Sequence, residues 1–463
     1  MMKSKWLKVL ALTLVAAFSI AMLAGCSGGT TQPTTAPTQA PANNGGDGEG
    51  SNEPAQAKDP SEYTGSVMFW CGDKNWAELM VPAFNKVYPN IEVTWTPLNW
   101  SEYRQKLQTS IAGGLQIPDM ICAEVAWRKM VYAMDIVENL EAAPYNLDRN
   151  DMFEYLWPRC ENDKGEIVGI EQQLTPAGLS YRKDIAKEVW GVEKPEEVEK
   201  LFADKGGAYD GYIAMGKELY EKTNGEKTLL PSLFEAWELL SRQTTIARVN
   251  EDGSINATEQ LTPIIETLRQ FGIENVCGKL ESGTPAFDGS WAQGNVMCYV
   301  MPTWRTQPLY NDYDPDAAPG TWGIMIPAGG AISWGGTTSS IYKESQNKEA
   351  TWEFIRWTCW DLEGAKVAVE REYQLSRKSN YEADPSLGSK HNDYFDTDIF
   401  QFWAERAVDE AIAAVPTIYD SVVNDAAGVA ITAFSADNSL TTEQMMETIK
   451  TEIKNKLPDV EVK

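Results

Sequence analysis

The sequence predicts an α/β fold, because strand patterns and helix patterns alternate along its early part. Residues 66–70 form a short apolar run that ends at a Gly-Asp pair, as a buried strand entering a loop does. Apolar residues then recur every three or four positions over 76–88, which predicts a helix. The alternation continues as a strand at 91–95, a helix at 101–113 and a strand at 119–122. Such alternation is typical of a layer of helices on a parallel sheet.

The loops that follow these strands are the first place to look for a site. Open parallel sheets bind ligands beyond the carboxyl ends of their strands. Here those loops are 71–76, 97–100 and 123–128, and all three carry tryptophan together with charged or amide side chains.

Composition excludes several classes of protein. The 463 residues include 67 Asp and Glu against 40 Lys and Arg, so the net charge is −27. Such a chain repels phosphate backbones, and we expect no nucleic-acid partner. The lone histidine, His391, excludes histidine-cluster metal sites and any Ser-His or Cys-His machinery that does not use it. At this length we expect two or three domains.

The amino terminus predicts export and lipid attachment. Three lysines precede an apolar run over 9–23, which is typical of a secretory signal and short for a membrane span. The run ends in Leu-Ala-Gly-Cys26, which resembles the bacterial lipobox. We therefore predict a signal peptide at 1–25, a lipidated Cys26 and, over 26–63, a disordered tether rich in Ser, Gly, Thr and Pro. The alternative is an ordinary signal with a chance cysteine.

The other six cysteines are interpreted as buried free thiols. None of them forms a C-x-x-C pair, so the sequence indicates neither a zinc ribbon nor a thioredoxin motif. An exported chain can form disulfides, but these spacings nominate no pairs.

A series of short motifs resembles one known family. The segments, in chain order, are 70–76, 84–93, 103–107, 111–114, 118–119, 178–184, 291–304, 334–336 and 347–355. Their order is similar to that in the sugar-binding lipoproteins of ABC importers, the family related to maltose-binding protein. Within 291–304 the sequence departs from the family pattern at Trp291, Cys298 and Pro302, where the family has Phe, Met and Gly. Residues 376–463 show little of the pattern.

The resemblance implies a two-lobed, periplasmic-binding-protein-like clamp with a discontinuous chain path. The first lobe would combine residues 64–174 with 333–378, and the second 175–332 with 379–463. Strands crossing between the lobes would act as a hinge that closes on a ligand.

Sugar binding requires flat aromatic surface together with hydrogen-bonding groups for hydroxyls. The loops named above and the family motifs supply both. We therefore predict ligand contacts from Asp73, Lys74, Trp76, Trp100, Glu124, Trp127, Gln172, Trp304, Arg305, Trp334 and Gly335. Trp304 matches the family's stacking tryptophan.

Several of these residues also have a plain structural interpretation. Asp73 and Lys74 fit a solvated turn, and Trp127 fits a core anchor. Gln172 and the adjacent Gln173 point opposite ways in extended chain, so only one should face the cleft.

No motif predicts catalysis, a metal or a cofactor. The acidic run at 312–316 begins like a calcium loop, but it lacks the turn glycine and the closing glutamate, so we expect an acidic loop. Nucleophile-elbow, metalloprotease and phosphate-binding-loop motifs are absent from the sequence.

The sequence thus predicts a non-enzymatic, monomeric lipoprotein outside the bacterial cytoplasmic membrane. It would capture a carbohydrate, expected to be an oligosaccharide, and deliver it to an ABC permease. The lipid would be its single membrane attachment. The alternatives are a surface glycan hydrolase, which needs only two carboxylates, and a sensor or adhesion lipoprotein with the same clamp.

Overall fold

The computed structural model describes residues 58–408 and 415–463, without the side chain of Tyr310. The predicted signal peptide, Cys26 and nearly all of the predicted tether lie outside these residues. At the start of the described chain, Asp59 caps a short 3-10 turn at Pro60–Glu62. Thr64–Lys463 forms one compact unit.

The strands of this unit build two main sheets and one small pair. In chain order they are β1 (Gly65–Cys71), β2 (Ile91–Pro97), β3 (Met120–Glu124), β4 (Ile170–Glu171), β5 (Pro176–Arg182), β6 (Cys298–Pro302), β7 (Trp322–Met325), β8 (Ile332–Ser333), β9 (Thr337–Ile341), β10 (His391–Asn392) and β11 (Thr397–Asp398).

Helices cover these sheets. In chain order they are α1 (Lys74–Val87), α2 (Trp100–Gly113), α3 (Arg128–Ala133), α4 (Trp157–Cys160), α5 (Lys183–Trp190), α6 (Pro195–Asp204), α7 (Ala208–Lys222), α8 (Leu233–Gln243), α9 (Ala257–Ile273), α10 (Pro285–Gln293), α11 (Thr306–Pro308), α12 (Lys348–Cys359), α13 (Leu362–Ala368), α14 (Lys378–Ala383), α15 (Ile399–Gln401), α16 (Asp420–Ala436) and α17 (Thr442–Lys456). Further 3-10 turns lie at Arg149–Asp151, Glu154–Leu156, Thr303–Arg305, Val369–Arg371 and Pro385–Gly388, and π-helical turns at Leu309–Tyr313 and Phe402–Ala407.

The first sheet confirms the predicted alternation. Its order is β2-β1-β3-β9-β4, and β1 pairs in parallel with both β2 and β3. The helices between them begin at side-chain caps, since Asp73 accepts from the backbone N–H of Trp76 and Asn99 from that of Glu102. Helix α2 ends at Gly114, which has the left-handed φ of 59° common at helix ends.

The second sheet is built differently from the first. Strand β5 lies between β6 and β7 and also pairs with β8, and all these pairings are antiparallel. Its core is larger, because helices α7, α8, α9, α16 and α17 all contribute buried side chains to one cluster with β5 and β6. An aromatic cluster containing Trp291, Tyr299 and Trp403 fills the other side. Trp403 is therefore a core residue.

The chain is two-lobed, with one sheet in each lobe, and it crosses between the lobes more than once. The segment from β4 to β5 joins the sheets, and the segment from β8 to β9 returns. Ser379 and Asn380, which the sequence boundaries place in the second lobe, bond to Asp151 and Trp360 of the first. Within the described residues, no helix has both the length and the apolar character to cross a bilayer.

Candidate functional site

The candidate site is built on the crossing segments, and a chain of hydrogen bonds joins the two lobes there. The Tyr373 hydroxyl donates to the Asp73 carboxylate at 3.0 Å. Gln173 bonds to the same tyrosine, and its Oε1 accepts from Thr303 of the second lobe at 3.4 Å. Thr303 also donates to the carbonyl of Leu174 at 2.8 Å. These hydrogen bonds therefore fix the position of Thr303, which directly precedes Trp304.

Two tryptophans form an aromatic corner on the second lobe. The rings of Trp304 and Trp334 meet edge to face with centroids 5.4 Å apart, and both side chains are half-buried. The Trp304 Nε1–H donates to the carbonyl of Trp334 at 3.0 Å. Gly335 allows this contact: its φ is 82°, and a Cβ there would lie 2.8 Å from Trp304 Nε1. Glycine at position 335 is therefore required for the contact between the Trp304 ring and the backbone of Trp334.

Arg305 supports the aromatic corner from within the protein. Only 2% of the residue is exposed, and its guanidinium lies 4.6 Å from the Trp334 ring centroid and 5.3 Å from that of Trp304. Its Nη1 donates to Glu235 at 2.6 Å and to the carbonyl of Val300 at 2.7 Å. The structure thus places the Arg305 guanidinium inside the lobe, behind the two rings, where Glu235 and the carbonyl of Val300 bind it.

Glu124 lies on the first lobe and faces helix α8 of the second. It ends β3, opposite Thr337, and its carboxylate accepts from the N–H of Ala126 at 2.9 Å. Burial raises the pKa of Glu124; the hydrogen bond from Ala126 and the nearby guanidiniums of Arg128 and Arg242 oppose that rise, and Glu238 adds to it. Glu124 is half-buried, as a polar residue at the edge of a cleft would be.

A buried ion network lies beneath the crossing segments. Glu171 binds Arg128, with which it pairs through both oxygens, and Arg159, whose Nε donates at 3.1 Å. Arg159 donates to the carbonyl of Gly335 at 2.8 Å, and Arg128 to that of Gly336 at 2.6 Å. Burial opposes ionisation of Glu171, but the two guanidiniums hold its pKa below the usual value. The network ties the first lobe to the segment that carries Trp334.

The aromatic ring of Trp100 covers the loop after β1. A Cβ on Gly72 would lie 2.3 Å from the Trp100 ring, so only glycine permits this close packing. The side chain is half-buried beside Tyr103, at 6.0 Å between ring centroids. Trp100 thus lies on the first lobe, against the loop that follows β1.

Three other predicted contacts face elsewhere. Trp76 is completely buried and packs against Phe69 and Phe354, because it begins the apolar face of α1. Gln172 points into the first sheet, where it donates to Ser339 at 3.1 Å, so its neighbour Gln173 reaches the lobe boundary instead. Lys74 is exposed and pairs with Glu78 one helical turn on.

Trp127 is also buried, with 3% of its surface exposed. Its ring lies 5.4 Å from that of Tyr103, which agrees with the core-anchor interpretation. Among the described residues, its indole N–H has no hydrogen-bond partner.

Sequence reasoning missed Tyr373, Thr303, Glu235 and Glu171, which hold the site together. Each becomes important through a partner far away in sequence, and no local pattern marks them. Acidic residues on a helix face, such as Glu235, are typical of solvated surface.

The described residues hold no cluster of three or more potential metal ligands. In the acidic run, Asp314 accepts from the indole Nε1 of Trp322 at 3.1 Å and so has a structural partner.

Comparison with known proteins identifies the family. The family model for bacterial extracellular solute-binding proteins matches residues 80–370, while no curated protein matches the sequence. A family 1 extracellular solute-binding protein has a TM-score of 0.73 at 17% identity, covering 84% of this chain and 99% of that one.

Two further solved structures share the fold. The GacH receptor of Streptomyces glaucescens, solved unliganded and with acarbose, has a TM-score of 0.68 at 18% identity over 86% of this chain and 100% of its own. The ABC substrate-binding protein Lmo0181 of Listeria monocytogenes, in complex with cycloalternan, has a TM-score of 0.66 at 17% identity over 86% and 100%. With two lobes, crossing segments and a family match over most of its length, this chain belongs to the bacterial extracellular solute-binding proteins.

Proposed function

We propose that this protein captures a carbohydrate between its lobes and passes it to an ABC permease. The observation that carries the proposal is the aromatic corner of Trp304 and Trp334, which lies where the lobes join. Indole rings offer the flat apolar surface that the C–H face of a sugar ring requires. Structural neighbours were solved with acarbose and with cycloalternan.

Hydrogen-bonding groups flank the aromatic corner. Asp73 and Glu124 present carboxylates from the first lobe, and Gly335 and Gly336 bring backbone close to the same place. Carboxylates accept from sugar hydroxyls and fix their orientation. The clamp would close by moving one lobe toward the other about the crossing segments.

We further propose the lipid anchor at Cys26 and the tether that follows it. Both rest on the sequence pattern of the first 63 residues. Mass analysis of the membrane-extracted protein tests the anchor: a diacylated Cys26 at the new amino terminus is expected, and a free thiol there would refute it.

Titration calorimetry against a panel of oligosaccharides tests the binding function. We expect saturable binding of at least one glycan, and binding only of peptides or polyamines would overturn the assignment. Assaying released reducing ends in the same samples tests the alternative of a hydrolase, for which we expect no increase over time.

A further inference from the structure

We propose that the second lobe carries a docking groove for an extended peptide segment of a protein partner. This edge groove has a volume of about 1130 Å³. Its floor includes Ile324 of β7, the starts of helices α5 and α6 form one wall, and residues 395–406 form the other. None of the predicted sugar contacts lines it, so the inference goes beyond the proposed function.

The outer edge of strand β7 is unpaired at one residue. On its inner edge β7 pairs with β5, and it ends the second sheet. On its outer edge the N–H of Trp322 donates to the carbonyl of Tyr394 at 3.2 Å, and the N–H of Ile326 donates to Glu199 at 2.9 Å. Because alternate residues of a strand turn their backbone groups to the same edge, Ile324 also faces outward. Among the described residues, neither its N–H nor its C=O has a hydrogen-bond partner.

This free donor and acceptor indicate the kind of ligand. Ile324 is 3% exposed, and buried backbone N–H and C=O groups are nearly always paired. A donor and an acceptor side by side on a strand edge are matched by the C=O and N–H of another extended chain. Peptide recognition by strand addition works in this way. The edge groove therefore fits a peptide backbone.

The two walls lie on opposite faces of the second sheet. On one face, residues of α5 and α6 pack in the same cluster as Met325. On the other face, Phe395 and Phe402 pack in the same cluster as Ile324. Successive side chains of a strand point to opposite faces of its sheet. A peptide paired with β7 would therefore direct its side chains alternately to the two walls.

The helical wall offers free positive charge. Some of its charges form ion pairs within the wall, namely Arg182 with Asp184 and Lys187 with Glu193. Of the others, Lys183 is half-buried and Lys194 is exposed, and neither forms an ion pair with a described residue. Glu196 is the one carboxylate of this wall without such a pair, so the cations are in excess.

The opposite wall offers free negative charge. Asp396 and Glu405 are exposed, and in the part of the chain that the structure describes they form no ion pair. Asp398 adds a third carboxylate, which accepts from the N–H of Gln401. The one cation of this wall, Arg406, is already paired with Glu199 at 3.0 Å.

The two walls therefore favour a particular sequence pattern in the partner. Acidic side chains would face Lys183 and Lys194, and basic side chains would face Asp396 and Glu405. Because the walls alternate along an extended chain, acidic and basic residues should alternate in the docking segment. Complementary charge of this kind selects the partner and fixes its register.

Two labelled hexapeptides with blocked ends test the pattern. One alternates Glu and Lys, and the other has the same composition as three Glu followed by three Lys. Fluorescence anisotropy is measured while each is titrated with the full-length protein. We expect saturable binding of the alternating peptide, about 10-fold tighter than that of the block peptide. Equal affinities, or binding of neither peptide, would overturn the proposal.

A third peptide tests the pairing with the strand edge. It has the alternating sequence with N-methyl groups on two neighbouring central residues, so that neither edge of the peptide can donate there. We expect at least about a 5-fold loss of affinity, because Ile324 then loses a hydrogen-bond partner. Unchanged affinity would show that strand addition does not occur.

Charge reversals in the two walls locate the binding. We expect Lys194→Glu and Glu405→Lys each to weaken the alternating peptide by about 3-fold to 5-fold. Lys454→Glu and Glu266→Lys make the same changes in net charge at exposed positions outside the groove and should have no effect.

Trp304→Ala separates this groove from the cleft between the lobes. We expect it to leave the affinity for the alternating peptide unchanged, since Trp304 does not line the groove. If Trp304→Ala weakens the peptide while the wall variants do not, the peptide binds in the cleft and the docking groove is refuted.

Discussion

The carboxylate of Glu235 holds the guanidinium of Arg305 directly behind the aromatic corner. Both residues are about 2% exposed, and the carboxylate also accepts from the backbone N–H of Val300 at 2.9 Å. Burial raises the pKa of Glu235, although the nearby Arg305 opposes this shift. The pair therefore links helix α8 to the turn that carries Trp304.

Removing one member of this pair should destabilise the second lobe. We expect Glu235→Met to lower the free energy of unfolding by about 3–5 kcal/mol, because it leaves a buried guanidinium without its counter-charge. Denaturant unfolding followed by circular dichroism measures the effect. The double variant with Arg305→Met should recover most of the loss, since buried pairs can be replaced by apolar residues at little cost. A double variant no more stable than the single one would contradict this explanation.

Trp304→Ala should weaken ligand binding while the fold remains intact. Loss of a central aromatic contact typically costs about 2 kcal/mol, or roughly 30-fold in affinity. Calorimetry with the ligand found in the oligosaccharide panel measures the change, and circular dichroism checks the fold. Trp190→Ala is a suitable control, because Trp190 packs at the edge of the second-lobe core on helix α5. Equal affinity of Trp304→Ala and the wild type would remove Trp304 from the site.

The Glu171 network should make stability depend on acid pH. The pKa of Glu171 is lowered in the folded protein, so its stabilisation is complete above the ordinary glutamate pKa and is lost as pH falls below that value. Thermal unfolding should be measured from neutral pH to about pH 3. Because Glu171→Gln is already destabilised at neutral pH, its melting temperature should fall less over this range than that of the wild type.

Glu102→Gln serves as the control for that experiment, since Glu102 is exposed near the start of α2. Its unfolding profile should run parallel to that of the wild type. A Glu171→Gln profile that also runs parallel would show that this network does not contribute to the acid sensitivity.

The six cysteines after Cys26 should be unreactive in the native protein. All six are free; five are buried and Cys277 is half-buried, and burial raises the pKa of Cys160 and of Cys359 to about 12. A form that begins at residue 27 should react slowly with a disulfide reagent and expose six thiols once denatured without reductant. Fewer than six would reveal a disulfide, and a fast-reacting native thiol would contradict the burial.

The sequence alone identified the local elements of the first lobe. Helix and strand periodicity is a local signal, and the elements that it predicts form nearly where expected. The order of short motifs also indicated the family and the two-lobed plan. The prediction that Trp304 and Trp334 contact a ligand comes from the same resemblance, because both lie in motif segments.

Only the tertiary structure decided which polar side chains meet at the lobe boundary. The alternation along a strand shows that Gln172 and Gln173 point opposite ways, but it does not show which of them points toward the boundary. That depends on how the strand enters the first sheet. Likewise, the sequence predicts a ligand contact from Arg305 but does not indicate that Glu235, 70 residues earlier, binds its guanidinium. The energy of a buried charge is set by partners that the fold brings close, and sequence separation carries no information about them.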